Sequence, residues 1–357
     1  MTARNVHVHG MAMLDGPHRH DRVVGAGPML AFSLLACMAV VGIPAAAFAD
    51  APAPTPGPLR VEIADDRTLR DAARGKDVPY RVSYPQDDGH YPLIVFSHGF
   101  GGNKDAFATV SRHWASHGYV VIQPTHADGL GRRDGDANAG GTTRGRLRAG
   151  GLLAGLNDAD RIADRVADLV LILDSLTEIV KATPGLEGRI DATRIGVGGH
   201  SFGAYTAMLI GGVTVDLGGK KDRSFRDQRV MCILPISAQG TGQQGLTDAS
   251  WAGLTIPMMT ITGTRDQGVG GQGVDWKKEP YRFSPPGSKF LVVVDGANHL
   301  SFGGGLGLRG SGVTDVVKLT STLFWDAFLK DSEPARASLQ SDELPKDAGG
   351  SYAFEKK

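Results

Sequence analysis

A serine hydroxyl attacks a carbonyl only when a base takes its proton, and this chain offers a serine, a base and an orienting acid at positions that suit such a relay. The serine is Ser201, in Gly199-His200-Ser201-Phe202-Gly203. An apolar run at 195–197 precedes this G-x-S-x-G pattern and a helix-forming stretch at 204–210 follows it, which predicts a tight strand-to-helix turn with the hydroxyl held above a sheet. Composition alone would supply about 0.4 such matches in so glycine-rich a chain, so the flanking strand and helix carry the argument. The base is His299, in Asp295-Gly296-Ala297-Asn298-His299, just past the apolar run 290–294. An imidazole titrating near 6.5 suits that role. The acid is Asp266, just past the run 258–262. Asp248 and Asp295 are rival carboxylates, but Asp248 lies about a dozen residues beyond its strand and Asp295 only four before the histidine.

A tetrahedral intermediate also needs backbone N–H donors aimed at its oxyanion. Ser97-His98-Gly99-Phe100-Gly101-Gly102 follows the run 93–96, so the N–H groups of Phe100 and Phe202 are the natural pair. Trp251, Trp276, Tyr281 and Phe283 fall in loops near the Asp266 strand and are candidates for an apolar wall around a substrate. Two G-x-G-x-x-G matches, at 268–273 and 305–310, lack the strand before or the helix after that a dinucleotide motif requires. His113 and His117 stand four apart, but Trp114 occupies the place where a zinc protease needs glutamate, and no metal is expected.

Six short apolar runs, at 93–96, 119–122, 195–197, 230–236, 258–262 and 290–294, read as strands buried on both faces. Between them lie helical stripes. Ile162, Val166, Leu169, Val170, Leu173, Leu176 and Val180 form one, with Asn157 or Asp158 placed to cap its start, and Val316, Leu319, Leu323, Phe324, Ala327 and Phe328 form another. The alternation predicts a single α/β domain with a doubly wound, mostly parallel sheet, whose sites gather at the carboxyl ends of the strands. Many of the chain's 50 glycines cluster at those ends. The stretch 126–156 is long for an irregular connection and is either a candidate lid or a mobile loop.

The segments around 97–102, 199–203, 262–266 and 296–299 resemble the α/β-hydrolase superfamily, and most of all the bacterial proteins grouped with platelet-activating-factor acetylhydrolases, chlorophyllases and predicted dienelactone hydrolases. The chain order Ser, Asp, His is that of the superfamily, and the likeness runs from about residue 78 to 329. It implies the α/β-hydrolase fold and hydrolysis of small-molecule or lipid-like carboxylic esters without a cofactor. Two departures stand out. Dienelactone hydrolases carry a cysteine where this chain has Ser201, and mammalian acetylhydrolases take their acid from the preceding strand, which here ends in Ser237-Ala238-Gln239 with no carboxylate. Acyl transfer or polyester cleavage on the same residues, and a non-catalytic binding protein of the same fold, are the alternatives.

The chain has 357 residues with 38 basic and 38 acidic side chains. An apolar stretch over 23–49 ends in Ala47-Phe48-Ala49, the small-x-small pattern of a secretory cleavage site. The organisation expected is a leader at 1–49, a linker at 50–58, a catalytic domain at 59–330 and a C-terminal tail at 331–357, with export to the periplasm or beyond. Removing the leader leaves 35 basic against 36 acidic residues, too balanced for a nucleic-acid partner. No apolar run beyond the leader approaches the roughly 20 residues of a membrane span. Leu34-Leu35-Ala36-Cys37 resembles a lipoprotein box, the minor alternative, and Cys232 would be the single thiol of the mature chain.

Overall fold

The computed structural model describes residues 54–129, 149–304, 312–342, 344 and 349–357. All six continuous apolar runs become parallel neighbours in one sheet: β3 (Tyr91–Ser97), β4 (Val120–Pro124), β5 (Ile190–His200), β8 (Val230–Ile236), β9 (Met258–Arg265) and β10 (Lys289–Asn298). They stand in the order β4-β3-β5-β8-β9-β10. Their apolar continuity has the expected cause: helices cover both faces, so neither alternate set of side chains meets water.

The helices are α1 (Ala108–Ser116), α2 (Ala149–Leu156), α3 (Ala159–Asp174), α4 (Leu176–Ala182), α5 (Phe202–Gly211), α6 (Val274–Lys277), α7 (Glu279–Phe283), α8 (Gly312–Leu329) and α9 (Glu333–Gln340). On one face α3 and α5 bury Leu169, Ile172, Met208 and Leu209 with Val95, Val197 and Ile233 of the sheet. On the other, α1 and α8 bury Trp114, Phe324 and Trp325 with Ile94, Ile236 and Ile261. The indole of Trp114 donates to Ser321 Oγ at 2.8 Å and ties α1 to α8. Trp325 lies so close to β5 that a Cβ on Gly196 would sit 2.6 Å from its ring, so only glycine fits there.

Three features go beyond the apolar pattern. β1 (Val61–Asp71) and β2 (Lys76–Pro85) extend the sheet antiparallel beside β4, with half-exposed alternation in place of a continuous run. The single stripe expected from Ile162 to Val180 is two helices. Asp158 does cap α3, accepting from the N–H groups of Asp160 and Arg161, but Ser175 closes α3 and opens α4. The C-terminal tail is not a tail: α9 packs on α8, and β11 (Tyr352–Lys356) pairs antiparallel with β10 at the edge of the main sheet, whose described strands number nine. Residues 49–357 form one compact unit, so the domain extends past residue 330. A small hairpin of β6 (Val215–Leu217) and β7 (Lys220–Arg223) stands apart from the main sheet. No helix among the described residues is long and apolar enough to cross a membrane. Most of the candidate lid, 130–148, lies outside the described residues, and its end at 149–156 is α2.

The ring of Phe354 stacks on Phe290 with centroids 6.0 Å apart. Phe354→Ala should therefore lower stability by about 2 kcal/mol, less than the ~3–5 kcal/mol of a fully buried ring. A denaturant midpoint equal to that of the parent would place β11 outside the cooperative unit.

Candidate active site

At the carboxyl end of β5 the chain turns directly into α5, and the turning residue is Ser201, with φ 55° and ψ −118°. Such a backbone conformation costs a non-glycine residue about 1–3 kcal/mol and persists only where its surroundings enforce it. Two glycines allow the enforcement. A Cβ on Gly203 would lie 1.9 Å from the carbonyl oxygen of Ser97 at the end of β3, and one on Gly199 would lie 2.2 Å from the carbonyl oxygen of Gly203. The first turn of α5 is thus pressed against the end of β3. The N–H of Ser201 donates to Ile236 O at 2.9 Å, and its carbonyl accepts the first helical bond, from Tyr205 N.

His299 stands in the turn that follows β10, where Asn298 Oδ1 accepts from Leu300 N and Asn298 O from Ser301 N. Its Nε2 is 3.0 Å from Ser201 Oγ and its Nδ1 is 3.1 Å from Asp266 Oδ1. Asp266 is fully buried at the end of β9. Neither rival acid reaches the histidine: Asp295 is exposed and accepts from Thr264, and Asp248 is exposed in a short 3₁₀ turn.

The acid has supports that spacing did not reveal. Ser237, at the end of β8 with φ 53°, donates its hydroxyl to Asp266 Oδ1 at 3.0 Å and lies 2.8 Å from His299 Nδ1. Thr262 donates to Asp266 Oδ2 at 2.9 Å. The buried ammonium of Lys277 donates to Ser237 O at 3.1 Å. Burial alone would raise the pKa of Asp266. The hydrogen bonds from His299 and Ser237 and the nearby Lys277 charge outweigh it, holding the carboxyl below its ordinary value. Burial also lowers Lys277 to about 8, with the Asp266 charge opposing the shift. His200 is kept neutral by burial, lowered to about 3, and its Nε2–H donates to His299 O at 2.9 Å, tying the elbow to the histidine turn.

Phe100 and Phe202 come together, their ring centroids 6.1 Å apart, with Phe202 as the first residue of α5. The aromatic wall expected on the Asp266 side is not built as foreseen. Trp251 is fully buried, stacked on Phe283 in the core, and Tyr281 packs with Leu291 and Val293 against the sheet. Trp276 is held by a bond from its indole N–H to Thr241 O. Proximity to a strand in sequence does not say which face a loop residue will cover. A cavity of 310 Å³ opens elsewhere, lined by Phe107, His200, Leu300 and Gly303 among others.

A second Ser-His-Asp trio lies deeper. Ser97 Oγ is 2.8 Å from His126 Nε2, and His126 Nδ1 is 2.9 Å from Asp168 Oδ2. All three are fully buried. Asp168 also pairs with Arg74 and Lys76. The bond lengths match those at Ser201, but only the upper trio has a partly exposed histidine, at 30%. Cys232 is also fully buried, and burial raises its thiol pKa well above the usual value. Among the described residues no group of three His, Cys, Asp or Glu side chains could hold a metal ion.

The strand order, the elbow at Ser201 and the histidine after the last parallel strand define the α/β-hydrolase fold. The comparisons agree. A family model for platelet-activating factor acetylhydrolase, isoform II, matches residues 78–131, a span that includes the Ser97–Gly102 loop. The chain is 24% identical to the platelet-activating factor acetylhydrolase of Canis lupus familiaris, over 59% of its own length and 48% of the relative's. It is 25% identical to cutinase est2 of Thermobifida alba, over 62% and 56% of the two chains. It is 39% identical to chlorophyllase-1 of Arabidopsis thaliana over 46 residues, 13% of this chain and 14% of the other. The chain thus spans about half the length of the first two curated relatives; it has the α/β-hydrolase fold and is similar over part of its length to acetylhydrolases, cutinases and chlorophyllases.

The contact between α5 and β3 makes a sharp expectation. Gly203→Ala should cost about 3 kcal/mol or more, because the new methyl meets backbone that cannot move aside. Gly253→Ala, where a Cβ would meet nothing within 4 Å, should stay within about 1 kcal/mol of the parent. Urea denaturation of both variants reads the contrast, and equal midpoints would contradict the close approach.

Proposed function

We propose that this protein is an exported serine esterase that cleaves carboxylic esters through an acyl-enzyme. The observation that carries this reading is the relay of Ser201 Oγ, His299 Nε2 and buried Asp266 on a strained strand-to-helix turn. Ser201 attacks the ester carbonyl as its proton passes to His299 Nε2. Asp266 orients the imidazole through Nδ1 and stabilises its protonated form. The N–H groups of Phe100 and Phe202 receive the developing oxyanion. The imidazolium then returns its proton to the alcohol as it leaves. Water attacks the acyl-serine by the reverse relay, so acid and ester oxygens balance without a metal or redox cofactor.

The acetylhydrolase and cutinase relatives support an ester substrate, and the cavity beside His200 and Leu300 gives an apolar acyl or alcohol group a place to sit. Acyl transfer and polyester cleavage use the same relay and differ only in the acceptor or the length of the substrate. A panel of p-nitrophenyl esters from about two to sixteen carbons, with a polyester film beside it, ranks these substrates. Covalent labelling by a fluorophosphonate separates an esterase from a binding protein of this fold.

Ser201→Ala should lower ester turnover by roughly 10³ or more with the fold intact. Asp266→Asn should be severely impaired, while Asp248→Asn and Asp295→Asn remain near the parent. A Ser201→Ala protein with a tenth of the parent rate would remove the nucleophile from the proposal.

Export rests on the apolar stretch ending in Ala47-Phe48-Ala49, which lies outside the described residues. The mature protein should begin at or near Asp50 and keep its activity in a chelator. N-terminal sequencing from the native host checks this, and a lipid-modified Cys37 would replace a freely exported enzyme with an anchored one.

A further inference from the structure

Beneath the loop that carries Phe100 lies an ion pair that the relay does not use. Arg165 of α3 donates from Nε to Asp128 Oδ1 at 3.0 Å and from Nη2 to Oδ2 at 3.1 Å, and the two side chains are 1% and 2% exposed. Desolvating two charges cancels much of their attraction, so a buried pair is a weak source of stability by itself. What else this pair holds is therefore the better guide to its role.

It holds one loop. Arg165 Nη1 donates to His98 O at 2.8 Å and Nη2 to Gly99 O at 3.3 Å, while Asp128 Oδ2 accepts from Gly101 N at 3.3 Å. The backbone is gripped on both sides of Phe100. Gly99 O belongs to the same peptide unit as the N–H of Phe100, and in a trans peptide the two point in opposite directions. Fixing the carbonyl downward fixes the N–H upward. Gly99 O accepts two further bonds, from Gly102 N at 3.0 Å and from His98 Nδ1 at 2.6 Å. The tautomer follows from the partners: His98 Nε2 accepts from the N–H of His126 at 3.0 Å, so the proton sits on Nδ1. Three donors on one carbonyl, one of them cationic, polarise the amide and strengthen its N–H as a donor. The same guanidinium lies 4.6 Å from the ring centroid of Phe202, the residue with the second N–H.

We propose that Arg165, clamped by Asp128, is a positioning residue for the oxyanion hole: it aims and polarises the Phe100 N–H from below without touching the substrate. This inference rests on the esterase reading above. A lysine in place of Arg165 keeps the charge but cannot hold a carboxylate and two carbonyls with one compact ammonium.

The test uses Arg165→Lys and Asp128→Asn in the otherwise intact protein, with p-nitrophenyl butyrate as substrate and an alkyl trifluoromethyl ketone as inhibitor. The ketone carbon bonds to Ser201 Oγ, the hydroxyl proton passes to His299, and the ketone oxygen becomes an oxyanion in the hole. Arg165→Lys should lower kcat about tenfold or more with KM within about twofold, and should raise the ketone Ki by the factor lost in kcat/KM. Asp128→Asn, nearly isosteric, should show the same parallel loss to a smaller extent, and it carries the test if Arg165→Lys fails to fold. A folded Arg165→Lys protein with the parent kcat, or a reduced kcat with an unmoved ketone Ki in either variant, overturns the inference alone. A parent protein that neither turns over the ester nor binds the ketone overturns the esterase reading and this inference with it.

Discussion

The site depends on one close approach, in which the first turn of α5 lies against the carboxyl end of β3 with room for no side chain between Gly203 and Ser97 O. That contact brings two loops of different strands together. One is the elbow, whose serine takes a positive φ because β5, β8 and α5 hold it from both sides. The other is the glycine-rich loop after β3, whose N–H groups are useful only if they face the elbow. The twisted parallel sheet supplies the remaining members from the ends of β9 and β10, so four strand ends converge on one point.

Much of this was legible in the sequence, for reasons that also explain what was not. The six central strands are unbroken apolar runs because helices bury both their faces, and a residue just past such a run must stand at the carboxyl end of the sheet. Ser201, Asp266 and His299 could be read that way. The antiparallel additions lack that signal: β1 and β11 alternate partly buried with exposed positions, β2 alternates over its first half, and all three carry charges. The break at Ser175 is hidden because the apolar stripe continues across it. Trp251 misled because loop position says nothing about whether a ring faces a cavity or the core. Ser237 carries a partial signal, since it stands just past the apolar run of β8, but only geometry joins it to His299. Arg165, Asp128 and His98 come from three separate segments and had no spacing to mark them.

Burial separates the two Ser-His-Asp arrangements. Ser97, His126 and Asp168 reproduce the pairwise distances of Ser201, His299 and Asp266 almost bond for bond. The lower set is sealed and its histidine is lowered in pKa by burial, while Asp168 Oδ1 faces the charges of Arg74 and Lys76. Its role is to cross-link β3, the turn after β4 and α3 under the loop above. Polar groups in such a place weaken the core unless they are compensated, and here hydrogen bonds join the three while ion pairs compensate the remaining oxygen of Asp168.

The junction at His299 Nδ1 is shared by two strand ends, since Ser237 of β8 and Asp266 of β9 both lie within hydrogen-bonding distance of it. For the descent of proteins with this fold the geometry has a plain meaning. An acid can migrate from one strand to its neighbour without any displacement of the imidazole, because both seats look onto the same nitrogen. A lineage that passes through a form with carboxylates in both seats would have to bear their mutual repulsion, and Lys277, already lodged against Ser237 O, supplies the positive charge that makes such an intermediate form less costly.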